Sequence, residues 1–351
     1  MKISAQKSSI IFLVGVVVFL AINFIASSII SSVHGGRHTQ SEIIASIFIQ
    51  VSLLAVFFIF TKVGKSKLPY SFKFDVNPTR NKNNLIIILL TPVIALFSLL
   101  AFYGPTLGFE LLLQSMGYSP PPTLEMNTAA EMVLGVLLIV VFAAVCEEFF
   151  IRGGLMSGLH NKYGAKYAVI VTAFAFSLMH MNPSQTVFQF GLGIVIGILV
   201  IRTMSILPAI LLHAFSNSYA LIIYNTSIAQ GLENFILGDR TWLVVLTFIT
   251  LSLVFGAGLF FLFKYLFKSK PETIKIETDD KTDISKKVFS EPPNVTPAKD
   301  GTTFITKEKF HQKPSVASSE SGADRLIFYA GIAICGFMWL ISLLMGFGMF
   351  G

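Results

Sequence analysis

Nine stretches of this chain are apolar over lengths near the roughly 20 residues a helix needs to cross a bilayer. They fall at 9–31, 42–61, 84–103, 131–158, 167–182, 185–201, 205–224, 241–263 and 326–349. No soluble domain can bury so many long runs, so the chain is expected to be an all-α polytopic membrane protein. It should have an eight-helix transmembrane core plus a ninth, C-terminal transmembrane helix. The fifth and sixth runs are short and separated only by Met181-Asn182-Pro183-Ser184, which reads as a tight hairpin. Gly193 and Gly197 form a small-xxx-small pair that suits close helix packing, although glycines also occur by chance in apolar helices. The first run is too long for a signal-peptide core and no small-residue cleavage site follows it, so it is expected to be retained.

Charge supports this organisation. Only 13% of residues are charged, against the roughly one quarter usual for soluble domains. Of 26 Lys/Arg and 19 Asp/Glu, ten of each lie in residues 268–324, together with Pro271, Pro292, Pro293, Pro297 and Pro314. Such a segment buries too little apolar surface to offset its ordering entropy and is expected to be a disordered, charged cytoplasmic linker. Domain limits follow at 1–83 (two helices and a basic loop), 84–267 (the core), 268–324 (the linker) and 325–351 (the last helix). With the N-terminus cytoplasmic, 24 of the 26 basic residues fall on the cytoplasmic side, and only Arg37 and Arg240 fall opposite. The net charge of +7 is therefore read as a topology signal, and nucleic acid is not expected as a partner. Cys146 and Cys335, far apart within apolar runs, argue against a disulfide framework.

Ionisable groups inside a membrane are costly and mark candidate functional sites. The fourth run contains Cys146-Glu147-Glu148-Phe149-Phe150-Ile151-Arg152. Glu148 and Arg152 are spaced i,i+4 on one face, in the favourable Glu-before-Arg order. Glu147 points about 100° away with no partner on its own helix, which leaves it free to accept a proton. We expect Glu148–Arg152 to brace a site in which Glu147 acts. Two later runs carry similar pairs, Phe176 with His180 and His213 with Asn217. Counting from the basic boundary at Lys162 and Lys166, Glu147 and His180 lie about 22 and 21 Å deep, and His213 lies about 16 Å beyond Arg202. The three groups could share one cavity.

In this order, E-E-x-x-x-R (Glu147, Glu148, Arg152), F-x-x-x-H (Phe176, His180) and H-x-x-x-N (His213, Asn217) resemble the three motifs of the CAAX protease and bacteriocin-processing family of intramembrane endopeptidases. That family, also called CPBP or ABI, includes the Rce1-type prenyl-protein proteases. The resemblance covers roughly 84–263; the long polar segment and the ninth helix depart from the usual plan. It implies that Glu147, assisted by His180, activates the attacking water. His213 and Asn217 would stabilise the oxyanion, while Glu148 and Arg152 hold the site together. Peptide hydrolysis requires such a base, a polarised water and oxyanion donors. The mechanism is expected to need no cofactor; if zinc were bound instead, its ligands would be Glu147, His180 and His213, without an H-E-x-x-H.

The expected function is thus an intramembrane endopeptidase acting on a membrane-associated protein or peptide, in a bacterial plasma membrane. The alternatives are a non-proteolytic scaffold or regulator of cell-wall or surface-protein display machinery, a bacteriocin self-immunity protein, or a transporter. The scaffold would engage a protein partner through the 268–324 tail. A transporter would spread its polar residues over several helices instead of concentrating them in three motifs. Ser119-Pro120-Pro121-Pro122 reads as an extended outer loop, Glu131 as an interfacial carboxylate, and Tyr224 and Trp242 as interfacial anchors.

Overall fold

The computed structural model describes residues 3–31, 38–63, 82–121, 126, 128–225, 231, 241–267, 272–276, 294–297, 303–307 and 322–349. Most of the basic loop at 62–83, most of 268–324, Arg37, Arg240 and the side chains of Tyr224 and Trp242 lie outside these residues.

In chain order the helices are α1 (Ala5–Ser31), α2 (His38–Val63), α3 (Lys82–Ser115), α4 (Ala129–Tyr163), α5 (Ala165–Met179), α6 (Thr186–Thr203), α7 (Leu207–Tyr224), α8 (Thr241–Leu266) and α9 (Ala323–Gly346). Among the described residues, seven of them (α1–α4, α6, α8 and α9) are long and apolar enough to cross a membrane. The chain is therefore a multi-pass helical membrane protein. The two remaining expected spans, α5 and α7, are apolar but shorter than the other seven. The 15 residues of α5 reach only about 22 Å of the roughly 30 Å hydrocarbon core.

Part of the segment expected to be a disordered linker is described. Within it, β1 (Glu272–Ile276), β2 (Asn294–Pro297) and β3 (Thr303–Lys307) form an antiparallel sheet in the order β1-β3-β2. Glu272 pairs with Lys307, and Asn294 with Thr306. Short runs rich in Thr, Ile, Val and Phe have high strand propensity, and a composition average over 57 positions hides them.

α3 runs through Pro105, where a break was expected after residue 103. Proline removes a backbone donor and disturbs the preceding turn. Ser252 of α8 repairs that turn: its Oγ accepts from Gly104 N at 3.1 Å and donates to Leu100 O at 3.1 Å. Satisfaction of freed backbone groups by a neighbouring helix is what lets proline sit inside a membrane helix. Gly104 makes the approach possible, since a Cβ there would lie 2.6 Å from Phe248 O.

α4 is the central element. It begins at a capping box, in which Thr128 Oγ1 accepts from Glu131 N and Glu131 Oε2 accepts from Thr128 N. It contains two π-helical segments, Val136–Phe142 and Phe149–Met156, on either side of an α turn, Ala143–Glu148. α1 packs on its second half, with Ser8 Oγ donating to Gly154 O at 2.7 Å and accepting from Gly158 N at 3.1 Å. Phe57 of α2 lies against Gly153 and Phe149. α9 closes on α1 through Phe12 and Phe328, whose ring centroids are 5.7 Å apart. α5 and α6 form the hairpin read from Asn182-Pro183, with Asn182 Oδ1 accepting from Ser184 N at 3.1 Å. They meet closely at the two paired glycines: a Cβ on Gly193 would lie 2.9 Å from Ala173 Cα, and one on Gly197 would lie 3.2 Å from Val169 Cγ1.

Candidate functional site

The three sequence motifs converge where α4 passes between α2, α5, α6 and α7. The adjacent carboxylates of Glu147 and Glu148 have different surroundings. Glu148 is fully buried. Its Oε1 accepts from Arg152 Nη1 at 2.7 Å and from His213 Nδ1 at 2.9 Å. Arg152 is itself fully buried; its Nη2 donates to Gly193 O at 3.3 Å and its guanidinium lies 4.7 Å from the Phe176 ring centroid. A buried charge needs this kind of compensation, because an unpaired ion in an apolar interior is heavily penalised. The i,i+4 pairing of Glu148 with Arg152 persists across the junction with the second π segment.

Glu147 is more open, with 17% of its side chain accessible against 0% for Glu148. Its Oε1 accepts from Gln50 Nε2 of α2 at 2.8 Å, and its Oε2 lies 3.9 Å from His213 Nε2. It lacks a partner on its own helix, as the sequence indicates, but not in the folded chain. His180 caps the end of α5, where its Nδ1 donates to Phe176 O at 2.8 Å; a carbonyl only accepts, so the proton is assigned to Nδ1 and the lone pair to Nε2. Phe176 stands edge-on to both imidazoles, at centroid distances of 4.7 Å to His180 and 5.5 Å to His213. Its ring thereby fixes the two histidines and Arg152 relative to each other.

Asn217 lies one helical turn beyond His213, and its Nδ2 donates to Ile139 O at 3.1 Å, within the first π segment. Glu147, Glu148, Arg152, Phe176, His180 and His213 thus form one connected group, with Asn217 attached through the backbone of α4. π segments leave i→i−4 positions unpaired and recur at functional sites, and here they flank the two glutamates. Among the described residues no group of three or more His, Cys, Asp and Glu side chains is arranged to hold a metal ion.

Sequence reasoning missed two members. Gln50 is an amide in a mostly apolar stretch of α2, and it lies outside the three motifs with no polar pair of its own to mark it. The Gly193 carbonyl carries no side-chain signal; it becomes an acceptor because glycine brings α6 close to α4 and α5.

Fold and site together define a polytopic helical membrane protein whose intramembrane Glu, Arg and His residues are gathered into one buried cluster. Residues 129–219, the stretch carrying all three motifs, match the family described as type II CAAX prenyl endopeptidase Rce1-like. This is the family that the motifs resemble. An uncharacterized protein of Mycoplasma capricolum subsp. capricolum is 24% identical over 212 residues, 54% of this chain and 59% of the relative, so the match spans about three fifths of that protein. No solved structure matches the chain.

Proposed function

We propose that this protein is an intramembrane endopeptidase that hydrolyses a peptide bond in a membrane-associated protein or peptide. The observation that carries the proposal is the contrast between the two adjacent glutamates. Glu148 is neutralised by Arg152 and His213, whereas Glu147 keeps an accessible carboxylate facing an imidazole nitrogen across 3.9 Å. That separation is one a water molecule spans with a hydrogen bond to each side. In the proposed reaction, Glu147 takes the proton of the attacking water, and the lone pair on His180 Nε2 helps to orient it. His213 and Asn217 face the developing oxyanion, and Glu148 with Arg152 holds His213 in place. The chemistry uses no metal.

The Rce1-like match supports a protease, and the Mycoplasma relative supports a bacterial plasma membrane. We further propose a cytoplasmic N-terminus, with α5 and α7 traversing the bilayer inside the bundle. Comparison of membrane proteomes from cells carrying wild type, Glu147→Ala or His180→Ala tests the activity. Specific membrane proteins should lose a cleaved form in both variants at unchanged expression. Retention of every cleaved form in both variants would sink the proposal. A phenotype that survives Glu147→Ala but vanishes on deletion of 268–351 would instead favour a scaffold acting through the charged segment.

A further inference from the structure

α2 lies outside the stretch that matches the family, yet it reaches the reacting carboxylate. We infer that Gln50 of α2 is a positioning residue for Glu147: its Nε2 donates to Oε1 at 2.8 Å, which fixes the carboxylate plane and leaves Oε2, on the His213 side, as the proton-accepting oxygen. This inference rests on the function proposed above and deepens it.

Three observations carry it. Among the described residues Gln50 is the one hydrogen-bond donor to Glu147, whereas Glu148 receives two. The other groups near Glu147 are His213 of α7 at 3.9 Å, His180 of α5, and Glu148 and Arg152 on its own helix; none of them holds Oε1. Finally, Gln50 Oε1 is buried without a hydrogen-bond partner, so the amide is not part of a self-satisfying polar network. Its Nε2 contact with Glu147 is its only side-chain hydrogen bond among the described residues. A half-satisfied buried amide is a net burden on packing, and an apolar side chain of equal length would fill the same space without that burden. What the amide contributes is a fixed donor at one carboxylate oxygen.

Helix α2 therefore belongs to the working unit, and a segment trimmed to the three motifs would leave the base free to rotate. Fixing one oxygen also separates the roles of the two. Oε1 is occupied, so only Oε2 is available to a water lying between Glu147 and His213.

The test uses the full-length protein in nanodiscs and needs no known substrate. Dicyclohexylcarbodiimide modifies protonated carboxyl groups in apolar surroundings, and mass spectrometry reads the modification residue by residue. Gln50→Met keeps the volume and removes the donor. Glu147 should then be modified up to about tenfold faster, because its Oε1 is no longer held by the amide N–H and the carboxyl group is free to turn towards the reagent. Glu110 of α3, remote from the site, should keep its rate. Gln50→His restores a ring N–H within similar reach and should return Glu147 towards the wild-type rate. In cells, the membrane proteins that lose their cleaved form in Glu147→Ala should lose part of it in Gln50→Met. A wild-type modification rate in Gln50→Met, or an equal rise in Gln50→His, overturns the inference, because either makes the contact one of packing alone. Unimpaired processing alongside faster modification also overturns it. If Glu147→Ala alters no membrane protein, the proposed function fails while the modification rates still decide whether Gln50 holds the carboxylate.

Discussion

Arg152→Met removes a guanidinium that is fully buried and has three partners: Glu148 Oε1 at 2.7 Å, Gly193 O at 3.3 Å and the Phe176 ring at 4.7 Å. Methionine fills most of the volume, so the main loss is electrostatic. Glu148 would be left inside the bundle with His213 Nδ1 as its remaining partner. Breaking one side of a buried ion pair costs about 3–5 kcal/mol, and the single variant should lose that much stability. Glu148→Leu strands the arginine in the same way and should lose a similar amount. The double variant Glu148→Leu/Arg152→Met removes both members of the pair and leaves His213 Nδ1 and the Gly193 carbonyl without these partners, at about 1–3 kcal/mol. The two substitutions should therefore couple by more than about 2 kcal/mol in a double-mutant cycle. Equilibrium unfolding in mixed micelles, followed by tryptophan fluorescence, supplies the four stabilities. Single losses below about 1 kcal/mol, or a double loss equal to the sum of the singles within about 0.5 kcal/mol, would refute the claim that this pair braces the site.

Other substitutions examine separate parts of the molecule. Gly193→Val places side-chain atoms against Ala173, whose Cα lies 2.9 Å from a Cβ at this position, and should cost about 1–3 kcal/mol while disturbing the Arg152 contact; Gly256→Ala in α8, with no atom within 4 Å, should be neutral or slightly stabilising in the same melts. Ser252→Val removes the side-chain hydrogen bonds to Gly104 N and Leu100 O beside Pro105 and should lower stability by about 1–3 kcal/mol, measurable as increased hydrogen exchange confined to that turn of α3. Asp324→Ala removes the acceptor shared by Lys162 Nζ at 2.9 Å and Tyr163 OH at 2.6 Å, and should loosen α9 from the end of α4, seen as faster proteolysis ahead of α9 with the α4–α7 core intact.

The parts of the fold that could be read from sequence follow from the bilayer. A membrane allows few ways to satisfy a backbone, so apolar length alone placed α1, α2, α4, α6, α8 and α9 close to their observed limits. Where another element intervened, the reading failed. α3 passes Pro105 because Ser252, almost 150 positions away, completes its turn, and no local pattern announces that partner. The same holds for the site. Glu148 and Arg152 were legible because an i,i+4 pair is a property of one helix. The roles of Gln50 and Gly193 depend on helices crossing at that level, which spacing does not encode. The two π segments of α4 were equally hidden, since Val136–Phe142 and Phe149–Met156 carry no distinctive composition.

Hydrogen-bond direction refines the division of labour among the proposed catalytic groups. Glu148 accepts at His213 Nδ1, so that nitrogen carries a proton, and His213 donates through Nε2 as well only when both ring nitrogens are protonated. An oxyanion role for His213 therefore uses the doubly protonated ring, with Nδ1–H given to Glu148 and Nε2–H directed to the side where Glu147 Oε2 lies 3.9 Å away. His180 has the opposite arrangement. Its Nδ1–H is taken by Phe176 O, and its Nε2 keeps a lone pair suited to a water proton. Asn217 commits one N–H to Ile139 O, yet an amide nitrogen carries two, so the second remains for an oxyanion. In the proposed reaction the base side is then Glu147 with His180, and the donor side is His213 with Asn217. Glu148 anchors the donor side by holding His213, together with Arg152, through the same oxygen.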